Sequence, residues 1–152
     1  MLKAGEKLPS FSLQNQDGAV RSSANYEGKW FVLFVYPEDD TPGCTIETRA
    51  FSACKAEFDA AGIAVVGLSA DDVSSHKSFC NKFSLTVELL ADPEKALLGP
   101  LGVGQTPWNG KLYYDRTTFL VDPAGIVRKV YEKVDPRGHE KAVLADIATL
   151  QG

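Results

Sequence analysis

The chain predicts an α/β domain, because runs of strand-type residues alternate along it with runs of helical period. The clearest run is Trp30-Phe31-Val32-Leu33-Phe34-Val35-Tyr36, which carries no charge and is rich in β-branched and aromatic side chains. It reads as a strand buried on both faces, the central kind of a parallel sheet. Ile63-Ala64-Val65-Val66-Gly67-Leu68 has the same character, and turn residues and then a helical stripe follow each run. With 152 residues there is chain enough for one domain, residues 1–152, around a sizeable core.

The elements follow in order. Gly5 to Asn25 holds two short alternating runs, Leu8–Leu13 and Ala19-Val20-Arg21, around Asp17-Gly18. Asp-Gly between such runs predicts an N-terminal β-hairpin. Gly28-Lys29 leads into the central strand, and Pro37, Pro42 and Gly43 then force a turn. Phe51, Cys54 and Phe58 recur at helical spacing and predict a helix from Cys44 to about Ala61. After the second buried strand, Ser69-Ala70-Asp71-Asp72 offers capping residues for a helix from Val73 to Phe83. Thr86 to Leu90 reads as a strand closed by Ala91-Asp92-Pro93. Glu94 to Leu98 is a short helix at most, and Gly99 to Gly110, with four glycines and two prolines, reads as a loop. The latter half of Lys111–Asp122 reads as a strand, and Ile126–Tyr131 forms a hairpin with it across Asp122-Pro123-Ala124-Gly125. Val143, Ile147 and Leu150 mark one stripe of a C-terminal helix that starts at Gly138.

Composition excludes several functions. Sixteen basic against twenty acidic residues give a net charge of −4, and no basic run points to nucleic acid or to an anionic membrane. Met1 to Lys7 lacks the apolar core of a signal peptide, and no apolar stretch approaches membrane-spanning length. Three cysteines are odd in number and sparse, which argues against a secreted disulfide framework and for reduced thiols in the cytoplasm. His76 and His139 read as solvated. His76 and Cys80 lie one helical turn apart, but no second pair completes a tetrahedral set, so no metal is expected.

The chemistry concentrates at Cys44, where the central strand has ended and a helix begins. Open α/β folds place their sites at this carboxyl edge of the sheet. Unpaired N–H groups and the positive end of the helix dipole favour an anion there, and the thiolate is the reactive form of cysteine. A pKa lowered to about 6 would make Cys44 roughly 90% thiolate. Fast chemistry also needs donors aimed at the transition state. The Thr41 hydroxyl, turn N–H groups around Gly43 and Cys44, and a distant arginine are the available kinds.

The order Pro37-x-x-x-Thr41-x-x-Cys44 resembles the peroxiredoxin active-site motif. The fuller string Tyr36-Pro37…Thr41-Pro42-Gly43-Cys44-Thr45-x-Glu47 is similar to the Q-type, or bacterioferritin-comigratory, subfamily. Arg116-Thr117-Thr118-Phe119-Leu120-Val121-Asp122 resembles a second segment of that family, so the resemblance runs over essentially the whole chain. It implies a thioredoxin-like fold, a central mixed sheet flanked by helices, with the N-terminal hairpin added. It implies a thiol peroxidase in which Cys44 attacks the O–O bond of hydrogen peroxide or an alkyl hydroperoxide and becomes a sulfenic acid. Thr41, Arg116 and backbone N–H groups around Gly43 would orient the peroxide, Pro37 and Pro42 would shape the loop and exclude water, and Glu47 would tether the loop or the arginine.

Many Q-type relatives carry a resolving cysteine five residues after the first, and here that position is Arg49. Cys54 lies about 15 Å of helical rise from Cys44, whereas a disulfide needs Cα atoms about 4.4–6.8 Å apart, and Cys54 reads as core. Cys80 alone reads as a half-buried helical cysteine. Its spacing of 36 residues from Cys44 resembles a second Q-type arrangement, and that resemblance implies the resolving role for Cys80. Thioredoxin, or a similar dithiol, would restore both thiols without metal, haem or flavin. The resemblance further implies a monomer. Arg116 alone would read as a surface charge, and the neighbouring Asp115, where the family has an apolar residue, would weaken it if the two paired. Two other classes stay open from the residues: a redox sensor or binding module that oxidises without turnover, and a thioredoxin-fold structural protein with an inert Cys44.

Overall fold

The computed structural model describes residues 1–151 and contains nine strands and five α-helices among them. Seven strands form one mixed sheet: β1 (Ser12–Asn15), β2 (Val20–Ser22), β3 (Trp30–Val35), β4 (Ile63–Ser69), β5 (Glu88–Ala91), β8 (Thr117–Val121) and β9 (Val127–Tyr131). Their spatial order is β2-β1-β5-β4-β3-β8-β9. β3, β4 and β5 run parallel, while the N-terminal hairpin at one edge and the β8–β9 hairpin at the other run antiparallel to their neighbours. The predicted central strand is central, and the added hairpin is in place.

β3 shows why an uncharged run belongs there. Phe31, Leu33 and Val35 face one core with Phe11, Tyr26 and Leu101, while Val32, Phe34 and Tyr36 face the other. That second core collects Phe51 of α1 (Pro42–Ala53), Phe58 of α2 (Lys55–Ala60), Phe79 of α3 (Val73–Phe83), and Val143 and Ile147 of α5 (His139–Gln151). A strand with both faces covered has no place for an alternating polar residue. Helix α3 has the predicted bounds, with Asp72 as the cap: its carboxylate accepts from the Ser75 N–H at 2.8 Å.

Three expectations are corrected. The helix expected from Cys44 to Ala61 is broken at Cys54, whose carbonyl accepts from both Glu57 and Phe58 as a second helix starts. The break turns Cys54 half out of the core. The expected loop 99–110 instead contains the end of α4 (Leu98–Leu101) and β6 (Gln105–Trp108), which pairs with β7 (Lys111–Tyr114) as a separate ribbon turning at Asn109-Gly110. Glycines and prolines at its ends and turn conceal a strand pair that stands on the surface. The histidines are not solvated: His76 is fully buried, and His139 is buried against Thr118, with its Nε2 2.8 Å from Oγ1. Burial pushes the His139 pKa down to about 4.

No helix among the described residues is long and apolar enough to cross a membrane.

Candidate active site

Parallel pairing of β3 with β4, and antiparallel pairing with β8, bring three chain segments to one edge of the sheet. β3 ends at Val35, and the chain turns through Pro37 to Asp40, which adopts the left-handed backbone conformation. Thr41 is extended and opens α1, with Pro42 at the first helical position, where a missing N–H costs nothing. Cys44 therefore sits in the first turn of α1, and it is fully buried.

The loop folds back onto the sulfur. The Glu38 N–H donates to Cys44 Sγ at 3.5 Å, and Thr41 Oγ1 donates to the Glu38 carbonyl at 2.9 Å. Arg116, just before β8, lies across Gly43. A side chain at Gly43 would occupy the space of the guanidinium, with Cζ only 3.1 Å from the added carbon. Glycine there lets the cation approach the helix start. Arg116 Nη1 pairs with Glu47 Oε1 at 3.3 Å, one helical turn beyond Cys44. Glu47 is buried and its Oε2 has no partner among the described residues. Burial pushes the Glu47 carboxyl up to about 7, against the pull of Arg116.

The thiol itself differs from the expectation of a lowered value. Burial pushes Cys44 up from the ordinary cysteine pKa. The charge of Arg116, the Thr41 hydroxyl and the Glu38 N–H oppose that rise in this order, so the closed pocket holds every group that favours a thiolate but also a desolvation cost that exceeds them.

Asp115 does not pair with Arg116. Its Oδ1 accepts from Thr106 Oγ1 at 2.5 Å, and its N–H donates to the Gly104 carbonyl at 2.8 Å, so the acid braces the root of the β6–β7 ribbon. The ribbon in turn walls a cleft of about 500 Å³ beside the site, lined by Pro37, Thr41, Trp108, Tyr113, Arg116 and Val134. Trp108 is 69% exposed. Sequence patterning gave no sign of this wall, since β6 lies in the stretch read as a loop and β7 in the first half of Lys111–Asp122, which was read as no strand.

Cys80 lies near the end of α3, buried in the same core cluster as Cys44, and all three cysteines are free thiols. Burial, with the charges of Asp39 and Asp17, pushes its pKa up to about 11. Between the two cysteines is a polar cluster that sequence reasoning missed. His76 Nδ1 is 2.7 Å from Asp39 Oδ2, Tyr36 Oη donates to Asp39 Oδ1 at 2.6 Å, and the Asp39 N–H donates to Asp71 Oδ2 at 3.0 Å. A signal was available: His76, Phe79 and Phe83 fall at i, i+3 and i+7, an apolar stripe on which a histidine is buried and needs a partner.

A buried cysteine at a helix start, an arginine over it and a threonine at the cap define a thiol-redox site on a thioredoxin-like fold. The AhpC/TSA family model matches residues 4–130. A putative peroxiredoxin Bcp of Coxiella burnetii is 37% identical over 146 residues, covering 94% of this chain and 97% of that one. The solved bacterioferritin comigratory protein of Xanthomonas campestris, described for its alkyl peroxide reduction activity, is 34% identical with a TM-score of 0.87, covering 93% of this chain and 92% of that one. Peroxiredoxin Q of the same organism has been solved with either of two cysteines, 36 residues apart, replaced by serine. Those structures are 35% and 34% identical, with TM-scores of 0.89 and 0.90, and cover 97% and 99% of this chain and 99% and 100% of theirs. The chain belongs to the AhpC/TSA family, among its Bcp and Q-type peroxiredoxins.

Proposed function

We propose that this single-domain protein is a two-cysteine thiol peroxidase of hydrogen peroxide and alkyl hydroperoxides. The observation that carries it is the convergence on Cys44 Sγ of the Glu38 N–H and the Arg116 charge at the start of a helix. The Cys44 thiolate attacks one peroxide oxygen; the O–O bond breaks and the distal oxygen leaves as water or an alcohol. Arg116 and Thr41 hold the oxygens in line and stabilise the charge that develops on the leaving one. Glu47 holds Arg116, and Pro37 and Gly43 shape the loop and admit the guanidinium.

Cys80 then attacks the sulfenic sulfur, giving a Cys44–Cys80 disulfide and water. The equal spacing of the two cysteines replaced in the Xanthomonas protein supports this pairing over Cys54. Burial keeps Cys80 a thiol in the closed fold, so its attack follows local unwinding of the α3 end. A thioredoxin-type dithiol returns both thiols by exchange. We place the protein in the cytoplasm as a monomer.

The test is peroxide turnover with a recycling dithiol. Cys44→Ser should abolish it, and Cys80→Ser should allow Cys44 one oxidation but no recycling by thioredoxin. Retained turnover in Cys44→Ser would refute the assignment. A single oxidation in the wild type, without recycling, would favour the sensor reading.

A further inference from the structure

The cluster between the two cysteines is built more tightly than packing alone requires. His76 Nε2 is 2.9 Å from the Leu90 carbonyl, which can only accept, so Nε2 carries a hydrogen. The 2.7 Å contact then holds a further proton between Nδ1 and Asp39 Oδ2. Oδ2 also accepts from Ser75 Oγ at 2.7 Å, and Oδ1 from Tyr36 Oη at 2.6 Å. Asp39 is thus saturated, and both it and His76 are buried. A charge-assisted bond in such surroundings is among the strong ones.

The pair links two elements that the reaction must treat differently. Asp39 follows Glu38, whose N–H rests on Cys44 Sγ. His76 lies one helical turn before Cys80 on α3. Ser75 Oγ, on the same turn of α3, ties to Asp39 as well, at 2.7 Å, whereas Lys82 to Asp40 at 2.8 Å, further along the helix, is exposed at both ends and holds little. Anchored at Asp72 to His76, the helix can open only beyond that turn, where Cys80 and the left-handed Ser84 lie.

We infer that His76 and Asp39 are positioning residues for both half-reactions: their buried pair keeps the Glu38 N–H on Cys44 during oxidation, and its strength sets how readily α3 releases Cys80. The inference rests on the two-cysteine reading above. In the resolving step Cys44–SOH and Cys80–SH form the S–S bond, and the sulfenic oxygen leaves as water with the Cys80 proton. That step competes with a second peroxide, which would oxidise the sulfenic acid to sulfinic acid. A weaker pair should therefore slow the first step and speed the second.

The experiment uses the full chain in rapid-quench reactions with hydrogen peroxide, thiols being blocked at low pH and the peptides weighed. Cys44 oxidation is read in the Cys80→Ser background, and disulfide formation with Cys80 present. His76→Gln should slow Cys44 oxidation about threefold and speed disulfide formation about tenfold, with less sulfinic acid at high peroxide. Ser75→Ala removes one donor to Asp39 and keeps the histidine; it should give both changes at smaller size, and it decides the matter if His76→Gln does not fold. A merely structural role lowers the melting temperature but does not move the two steps in opposite directions. Unchanged rates, or both steps slowed together, would overturn the inference. A wild type that forms no Cys44–Cys80 bond would take the two-cysteine cycle down with it, whereas a wild type that forms it beside unaltered variants would sink this inference alone.

Discussion

Replacing Gly43 by alanine tests the arginine's role without touching the arginine. An added Cβ would meet Arg116 Nη2 well inside contact distance and lie 3.1 Å from Cζ. The backbone offers no objection, because Gly43 lies in the first turn of α1 and its φ is not positive. Alanine there gains helix propensity of up to about 1 kcal/mol over glycine. The guanidinium must therefore give way, by roughly 1 Å to reach ordinary van der Waals contact. It cannot simply follow Glu47, which is fixed in the buried face of α1 and holds Nη1 at 3.3 Å. A hydrogen bond to a charged group is worth about 1.5–3 kcal/mol, so losing that of Arg116 to the thiolate and peroxide should cost roughly 10- to 150-fold in rate. The assay is the second-order rate of Cys44 oxidation by hydrogen peroxide in stopped flow, with the melting temperature as control. A rate within about twofold of wild type at unchanged stability would mean that Arg116 does not act on Cys44 across Gly43.

Three further outcomes are expected. Glu47 has its folded pKa raised to about 7, so the folded state keeps a proton that the unfolded chain loses near the ordinary carboxyl value; stability falls as pH rises through that window and levels off above it. Glu47→Gln should flatten this dependence in urea unfolding and gain about 2–3 kcal/mol at about pH 8, yet slow Cys44 oxidation by freeing Arg116; an unaltered pH profile of stability would contradict it. Arg116→Met, which removes the largest force holding the Cys44 thiol down, should move its thiolate absorbance titration to higher pH; a titration unmoved or moved lower would place the charge elsewhere. Asp92 is buried and accepts from the N–H groups of Ala96, Leu97 and Leu98 at 2.7, 3.0 and 2.7 Å. Asp92→Ala should cost about 3 kcal/mol in urea unfolding by leaving those donors unpaired, and a loss below about 1 kcal/mol would mean that water replaces the carboxylate.

What the sequence made legible depended on how local the signal was. β3 and α3 were plain, because an uncharged run and an acidic cap declare themselves within a dozen residues. Cys44, Thr41 and Pro37 lie within one motif. The ribbon of β6 and β7 was hidden because its partners are each other and its surface is exposed, so no burial pattern marks it. The break at Cys54 was hidden because Phe51 and Phe58 keep one stripe across two helices. The Arg116–Glu47 pair spans 69 residues and His76–Asp39 spans 37, and only the fold brings such partners together. Glu47 and Arg116 were named through family resemblance; His76 and Asp39 belong to no motif that was read, and the charge of a histidine conceals how well a paired one suits a core.

The central claim is the pairing of Cys44 with Cys80, and one measurement reaches it most directly. The protein is treated with one equivalent of peroxide, free thiols are blocked at low pH, and the peptides are mapped by mass spectrometry. A linked Cys44–Cys80 peptide should be recovered, with Cys54 as a blocked thiol. A sulfenic or sulfinic Cys44 beside a blocked Cys80 would contradict it and leave a peroxidase that relies on an outside thiol.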